Sequence, residues 1–278
     1  MKTVTSKDGA TIAYNQTGQG PLLILVTGAL GFRSDGMQQN FVSHLEPHFT
    51  VINYDRRGRG DSGDTAPYAV EREIEDIEAL IDATGGTAYL YGLSSGAVLA
   101  LKAANQLGAK VTKLALYEPP FIIDDSRPPV PVDYVEQLDA AIAAGDRGKA
   151  VEIFMIQALL IPAEFVEMMR NAPPGAFAQG DVKPPDWSDM EAVAHTLAYD
   201  GAIIEDIAAG KQWPKGTWDT TSAKTVVIAG ENSEAFFHDG AKALVNDLPH
   251  GKYQLLQGQD HAVSPSALAP ALIAFFAN

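Results

Sequence analysis

Ser94 stands in Gly92-Leu93-Ser94-Ser95-Gly96, a G-x-S-x-G pattern between an apolar run and an Ala/Leu-rich stretch, Ala97 to Leu107. A serine on a sharp strand-to-helix turn presents its hydroxyl from strained backbone, and glycines flank it because side chains there would collide with neighbouring backbone. Such a hydroxyl can attack a carbonyl. A helix opening at Ser95 would aim its first N–H groups and its dipole at the oxyanion that results. The plainer account is a serine N-cap, since Ser is favoured at helix starts and the pattern arises by chance in long chains. Ser95 is the competing hydroxyl, but only Ser94 has a glycine two residues away on each side.

A serine nucleophile needs a base, and the chain has six histidines. His261 follows the last strand-like run in a loop, after Gly258-Gln259-Asp260 and ahead of a closing helix, the place from which a base can reach the carboxyl edge of a sheet. His44, His48, His195, His238 and His250 fall in helix-like or connecting segments.

The elements that must position these residues can be read from periodicity. Apolar runs at 21–27, 50–55, 87–92, 111–117, 224–230 and 252–258 alternate with helical segments, which predicts a mostly parallel sheet with helices on both faces. One such helix carries Ile74, Ile77, Leu80 and Ile81 on one face and stops at the glycine pair 85–86. Pro265 to Phe276 reads as the closing helix, and the N-terminal segment as a hairpin turning at Asp8-Gly9, an antiparallel edge on the parallel sheet.

From 119 to 222 the alternation gives way to helical pieces separated by proline clusters at 128–131, 173–174 and 184–185, which predicts a helical cap inserted into a core of 1–118 and 223–278. Val151, Phe154, Met155 and Leu159 share a helical face there. Packing is the ordinary role of such a face; lining a substrate cavity is the sharper one, with Phe154, Met155 and Trp187 as candidates.

Composition narrows the function. The chain has 278 residues, enough for one large core, and 20 Lys and Arg against 35 Asp and Glu give a formal charge of -15. That charge repels phosphate backbones and anionic membranes, so neither nucleic acid nor a membrane is expected as a partner. The absence of cysteine excludes disulfides, a thiol nucleophile and thiolate metal sites. No apolar run reaches the roughly 20 residues of a membrane span and the first residues lack a signal-peptide core, so a cytoplasmic location is expected.

With the elbow, the order of elements and two further segments, the chain resembles the α/β-hydrolase superfamily, serine-nucleophile branch, through nearly its whole length. Val26-Thr27-Gly28-Ala29-Leu30-Gly31 follows a strand where that family has His-Gly-x, and Asp55-Arg56-Arg57-Gly58-Arg59-Gly60-Asp61-Ser62 is similar to its D-x-R-G-x-G-x-S segment. Asp260-His261 after the last strand also matches. The resemblance implies an oxyanion hole made by the backbone N–H of Ser95 and of Ala29, with Gly28 as the alternative. Thr27 replaces a common histidine, which leaves the backbone donors in place.

The family most often takes its acid from the loop after the strand 224–230, about three residues beyond the glycine. Here that position is Ser233, between Glu231 and Glu234. Glu118, directly after the strand 111–117 and before Pro119-Pro120, is the other option, and enzymes resembling zearalenone lactonases place their acid there. A short crossover from Ser94 returns the chain at Glu118, so Glu118 is favoured over Glu231 and Glu234.

Two other patterns carry less. Gly58 to Gly63 matches G-x-G-x-x-G, but no helix opens inside it, which argues against a dinucleotide site. Asp55, Arg56 and Arg57 suit a loop-stabilising charge cluster, with Arg56 able to meet an anionic substrate. Asp124-Asp125 lacks the spacing of a metal site. No cofactor is expected. The implied activity is hydrolysis of a small hydrophobic carboxylic ester or lactone; carbon–carbon bond hydrolysis, perhydrolysis, cofactor-free oxygenation and noncatalytic ligand reception are alternatives on the same constellation.

Overall fold

The apolar runs form eight strands: β1 (Lys2–Thr5), β2 (Thr11–Thr17), β3 (Leu22–Val26), β4 (Thr50–Tyr54), β5 (Ala88–Leu93), β6 (Val111–Tyr117), β7 (Lys224–Gly230) and β8 (Gly251–Leu256). In the computed structural model, which describes residues 1–178 and 185–277, they make one sheet in the order β1-β2-β4-β3-β5-β6-β7-β8. The first two strands pair antiparallel at the edge and the others run parallel. The mixed edge and parallel body agree with the sequence reading.

Ten α-helices are described: α1 (Gly36–Leu45), α2 (Val70–Thr84), α3 (Ser95–Leu107), α4 (Tyr134–Ala143), α5 (Arg147–Ile153), α6 (Ala163–Asn171), α7 (Trp187–Val193), α8 (Leu197–Ile204), α9 (Ala235–Asp247) and α10 (Pro265–Ala277). The stripe expected on α2 is buried as predicted, with Ile77, Leu80 and Ile81 fully covered against α3 and the sheet. The opposite sheet face is covered by Phe41 and Leu45 of α1 and by Leu268, Leu272 and Phe276 of α10. Because both faces are covered, the central strands can be continuously apolar, which is why they read as runs rather than alternations.

Between β6 and β7 lie α4 to α8, a helical insertion with a core of its own that includes Leu138, Val151, Met155, Val166, Met190 and Leu197. Leu30, from the loop after β3, is buried in that core, and Ala29 and Phe32 pack on it. Pro184, half of the third proline cluster, lies outside the described residues. Among the described residues no helix is long and apolar enough to cross a membrane.

Candidate active site

β5 delivers Ser94 to the carboxyl edge of the sheet. Its φ is 55° and its ψ -127°, a conformation that L-residues avoid, between strand β5 and helix α3. The glycines two residues away are required by contact. A β-carbon at Gly92 would lie 2.5 Å from the Ala97 Cα, and one at Gly96 would lie 2.4 Å from the carbonyl oxygens of Val26 and Thr27. The turn therefore closes only because both positions lack a side chain.

Parallel pairing of Leu93 with Tyr117 brings the next residue of β6, Glu118, beside Ser94. Glu118 is fully buried, at a φ of 47°. Its Oε1 accepts hydrogen bonds from the Gly230 N–H at 2.7 Å and from the Ser233 hydroxyl; its Oε2 is 2.8 Å from Nδ1 of His261. Ser233 thus stands where an acid was expected and donates to the Glu118 carboxylate that faces His261. Glu231 instead accepts from the Gly258 N–H at 2.9 Å, and Glu234 stands at the N-cap position of α9.

His261 is held from two further sides. The Phe237 ring stacks on the imidazole with centroids 4.7 Å apart, and the Tyr117 hydroxyl donates to the Asp260 carbonyl at 2.6 Å, fixing the loop that carries it. With Nδ1 engaged by Glu118, Nε2 is the ring nitrogen left for chemistry. Among the described residues neither Nε2 nor the Ser94 hydroxyl takes a hydrogen bond, an open arrangement of the kind that tightens when substrate arrives.

The loop after β3 passes against the elbow: a β-carbon on Gly28 would come within 3.2 Å of the Ser94 Cβ. The Ala29 N–H takes no hydrogen bond within the described residues. Ser95 is the first residue of α3, so its N–H has no partner within the helix. Two free donors beside one nucleophile can stabilise a tetrahedral oxyanion.

Beneath this edge lies a charge network that the sequence did not reveal. Asp200 of α8, 3% exposed, accepts from Arg56 Nη1 at 2.6 Å, from Arg59 Nη2 at 2.5 Å and from the Ser95 hydroxyl at 2.7 Å. Arg56 also forks onto Glu73 at 2.7 and 2.6 Å. Arg56 is buried with its donors engaged, which corrects the expectation that it is available to an anionic substrate. Arg57 is engaged structurally by Asp76 and Asp8, as the cluster reading expected, and the G-x-G-x-x-G segment leads to α2 only at Val70.

Burial alone would raise the Asp200 carboxyl, but Arg56 and Arg59 outweigh it and hold the group below the usual carboxylate range. Glu73, Tyr68 and Tyr134 complete its charged and titratable surroundings. A depressed folded value gives stability that is full above the ordinary carboxylate pKa of about 4 and is lost as pH falls through the folded value. Denaturant midpoints are therefore expected to fall as pH drops below about 4 in the parent and to fall less steeply in Asp200→Asn. Parallel limbs in the two proteins would contradict this assignment.

The residues expected to line a substrate cavity pack in the core of the insertion, which Ala29 and Leu30 of the loop after β3 also join. Met155 is buried in the core of the insertion, where Phe154 packs half-buried beside it. Trp187 donates to Glu191 at 2.8 Å and borders a separate cavity with Met169, Phe177 and Met190. A different apolar cavity of about 40 Å³ adjoins the site, with Thr27, Met37, Phe41, Tyr91, Leu93 and Val263 among its walls. Thr27 precedes Gly28, Leu93 precedes Ser94 and Val263 is two residues past His261, so three of its walls are chain neighbours of the site residues.

A parallel sheet carrying a strained serine, with a buried carboxylate bonded to a half-buried histidine beside it, defines the class of α/β-fold hydrolases. The chain belongs to the alpha/beta hydrolase family, whose model matches residues 23–273. It is similar to the crystal structure of an alpha/beta hydrolase from Sphaerobacter thermophilus, with 46% identity and a TM-score of 0.85 over 99% of this chain and 100% of that one. An enol-lactonase from Burkholderia xenovorans shares the fold at 19% identity, with a TM-score of 0.69 and complete coverage of both chains. Uncharacterized hydrolase YraK of Bacillus subtilis is 35% identical over 115 residues, a match covering 40% of this chain and only 42% of that protein's length.

Proposed function

We propose that the protein is a cofactor-independent serine hydrolase of small hydrophobic carboxylic esters or lactones. The observation that carries this reading is the bond of 2.8 Å between buried Glu118 and half-buried His261, beside a serine in the strained elbow conformation. His261 Nε2 takes the proton as Ser94 Oγ attacks the carbonyl carbon, and the N–H groups of Ala29 and Ser95 hold the oxyanion. Collapse expels the alcohol, which leaves with the proton from His261. Water, deprotonated by His261, then attacks the acyl-enzyme, and the carboxylic acid departs as Ser94 regains its proton. Glu118 holds the imidazole in one tautomer and stabilises the imidazolium. The helical insertion acts as the cap over this edge.

The proposal is tested by incubation with a fluorophosphonate, followed by turnover of an ester panel. Mass added to the peptide containing Ser94, together with many turnovers per molecule, is the expected result; labelling without turnover would instead mark a ligand receptor.

The adjoining cavity sets an expectation for the acyl group. The cavity is small and apolar, which suits a short acyl chain. Each methylene buried is worth about 0.8 kcal/mol, so kcat/KM over p-nitrophenyl esters is expected to rise about fourfold per carbon over short acyl chains, then fall. Met37→Ala, which trims one wall, should move the optimum to longer chains. A flat profile, or a parent optimum at long chains, would refute the assignment of this cavity to the acyl group.

A further inference from the structure

Arg59 occupies a place in the chain that the hydrolytic residues do not explain. It is 1% exposed, and its donors converge on the loop after β3. Nη1 donates to the Gly28 carbonyl at 2.6 Å and to the Gly31 carbonyl at 3.0 Å; Nε donates to the Thr196 hydroxyl at 3.0 Å; Nη2 donates to Asp200. Thr196 and Asp200 both belong to the helical insertion. Next to it, Arg56 donates to the Thr27 carbonyl at 3.2 Å.

The bond to the Gly28 carbonyl has a geometric consequence. The Gly28 C=O and the Ala29 N–H belong to one planar trans peptide, so they point in opposite directions. Whatever fixes the carbonyl fixes the donor. Gly28 lacks a side chain, so the backbone there has fewer steric restraints on rotation than elsewhere, and an external anchor is needed to select one orientation. Arg59, at 2.6 Å, is the side-chain anchor on that carbonyl, where the Gly31 N–H also donates at 3.4 Å. The second donor is tied to the same carboxylate, because Asp200 Oδ1 also accepts from the hydroxyl of Ser95.

We propose that Arg59, held by Asp200 and Thr196 of the insertion, is a positioning residue that orients the Gly28–Ala29 peptide and so forms the oxyanion hole only when the insertion is seated. This rests on the hydrolase reading above. The insertion is then more than a cover over the substrate: its buried carboxylate completes the electrostatic half of the site. The cost of burying two guanidiniums and two carboxylates is met by their mutual hydrogen bonds, and removing one partner leaves the others unpaired.

Asp200→Asn and Thr196→Val test the proposal at two levels of risk. Asp200→Asn removes the charge that holds Arg59; Thr196→Val keeps volume and removes the acceptor at Nε together with the hydroxyl's own bond to the Val193 carbonyl. Loss of one oxyanion donor costs about 10²–10³ in kcat, so folded Asp200→Asn is expected to lose kcat on that scale with KM changed little, and Thr196→Val to lose less in the same direction. Affinity for a boronic acid transition-state analogue should fall in parallel with kcat/KM, whereas affinity for the unreactive ether analogue of the substrate should not. A merely structural role would lower the melting temperature and leave these ratios unchanged in the folded fraction.

Should Asp200→Asn fail to fold, Thr196→Val decides the matter by the same two affinities. Parent-like kcat and analogue binding in the folded variants would overturn the inference alone. A parent protein that neither labels with fluorophosphonate nor turns over ester would overturn the hydrolase reading and this inference with it.

Discussion

Ser94→Ala is expected to abolish fluorophosphonate labelling and to lower kcat on activated esters by about 10⁶, the scale on which loss of the nucleophile acts in serine proteases. The argument is local. The hydroxyl sits on a residue whose φ of 55° is enforced by the close packing of Gly92 and Gly96, so no neighbouring hydroxyl can take its place without rebuilding the turn. Ser95 is the only adjacent candidate, and its hydroxyl is committed to Asp200 at 2.7 Å. Alanine removes one oxygen and keeps the backbone, so the melting curve of the variant should match the parent. Labelling that persists in Ser94→Ala would place the nucleophile elsewhere.

Glu118→Gln is expected to lower kcat by about 10³–10⁴. The Glu118 carboxylate faces hydrogen-bond donors on both oxygens: the Gly230 N–H and the Ser233 hydroxyl on one side, and His261 on the other. A carboxylate accepts from all of them, whereas an amide has only one acceptor oxygen and must turn its NH₂ toward donors at one end. Either the β7 loop or the imidazole then loses its partner, and the imidazolium formed during acylation loses its countercharge in both cases. Glu231→Gln changes a group that accepts from a loop N–H and Glu234→Gln one that makes no capping hydrogen bond at the start of α9, and kcat is expected to stay within a few-fold of the parent. Collapse in either of these, with near-normal turnover in folded Glu118→Gln, would move the acid to the β7 loop. Circular dichroism and melting temperatures separate lost chemistry from lost fold.

What could be read from the sequence follows from how local each signal is. The elbow was legible because its strand, glycines and helix lie within a few residues, and Glu118 because a single crossover returns the chain beside Ser94. The parallel body and its antiparallel edge were legible from apolar runs and one Asp-Gly turn. Arg59 and Asp200 are 141 residues apart, and no spacing announces their pairing. Arg56 looked available because a charged residue in a loop is ordinarily solvated; only the arrival of α8 buries it. The cavity was sought in the insertion, where amphipathic helices carry large side chains, and those side chains share a core with Ala29 and Leu30 of the loop after β3. A further apolar cavity is walled by β3, α1, β5 and α10, four segments that meet only in the folded sheet. Ser233 read as a missing acid because sequence shows a residue type and not the carboxylate it faces.

The position of Glu118 also bears on how the site assembles. Nucleophile and acid lie on neighbouring strands joined by one helix, so the unit β5–α3–β6 brings them together through short-range contacts of the kind that form early in folding. The base comes from 143 residues further along the chain, on a loop that acquires its place only when β8 adds to the sheet beside β7. A molecule in which β8 has not docked would hold Ser94 without the imidazole that the proposed mechanism requires. Under that mechanism, the onset of acylation would report the docking of β8.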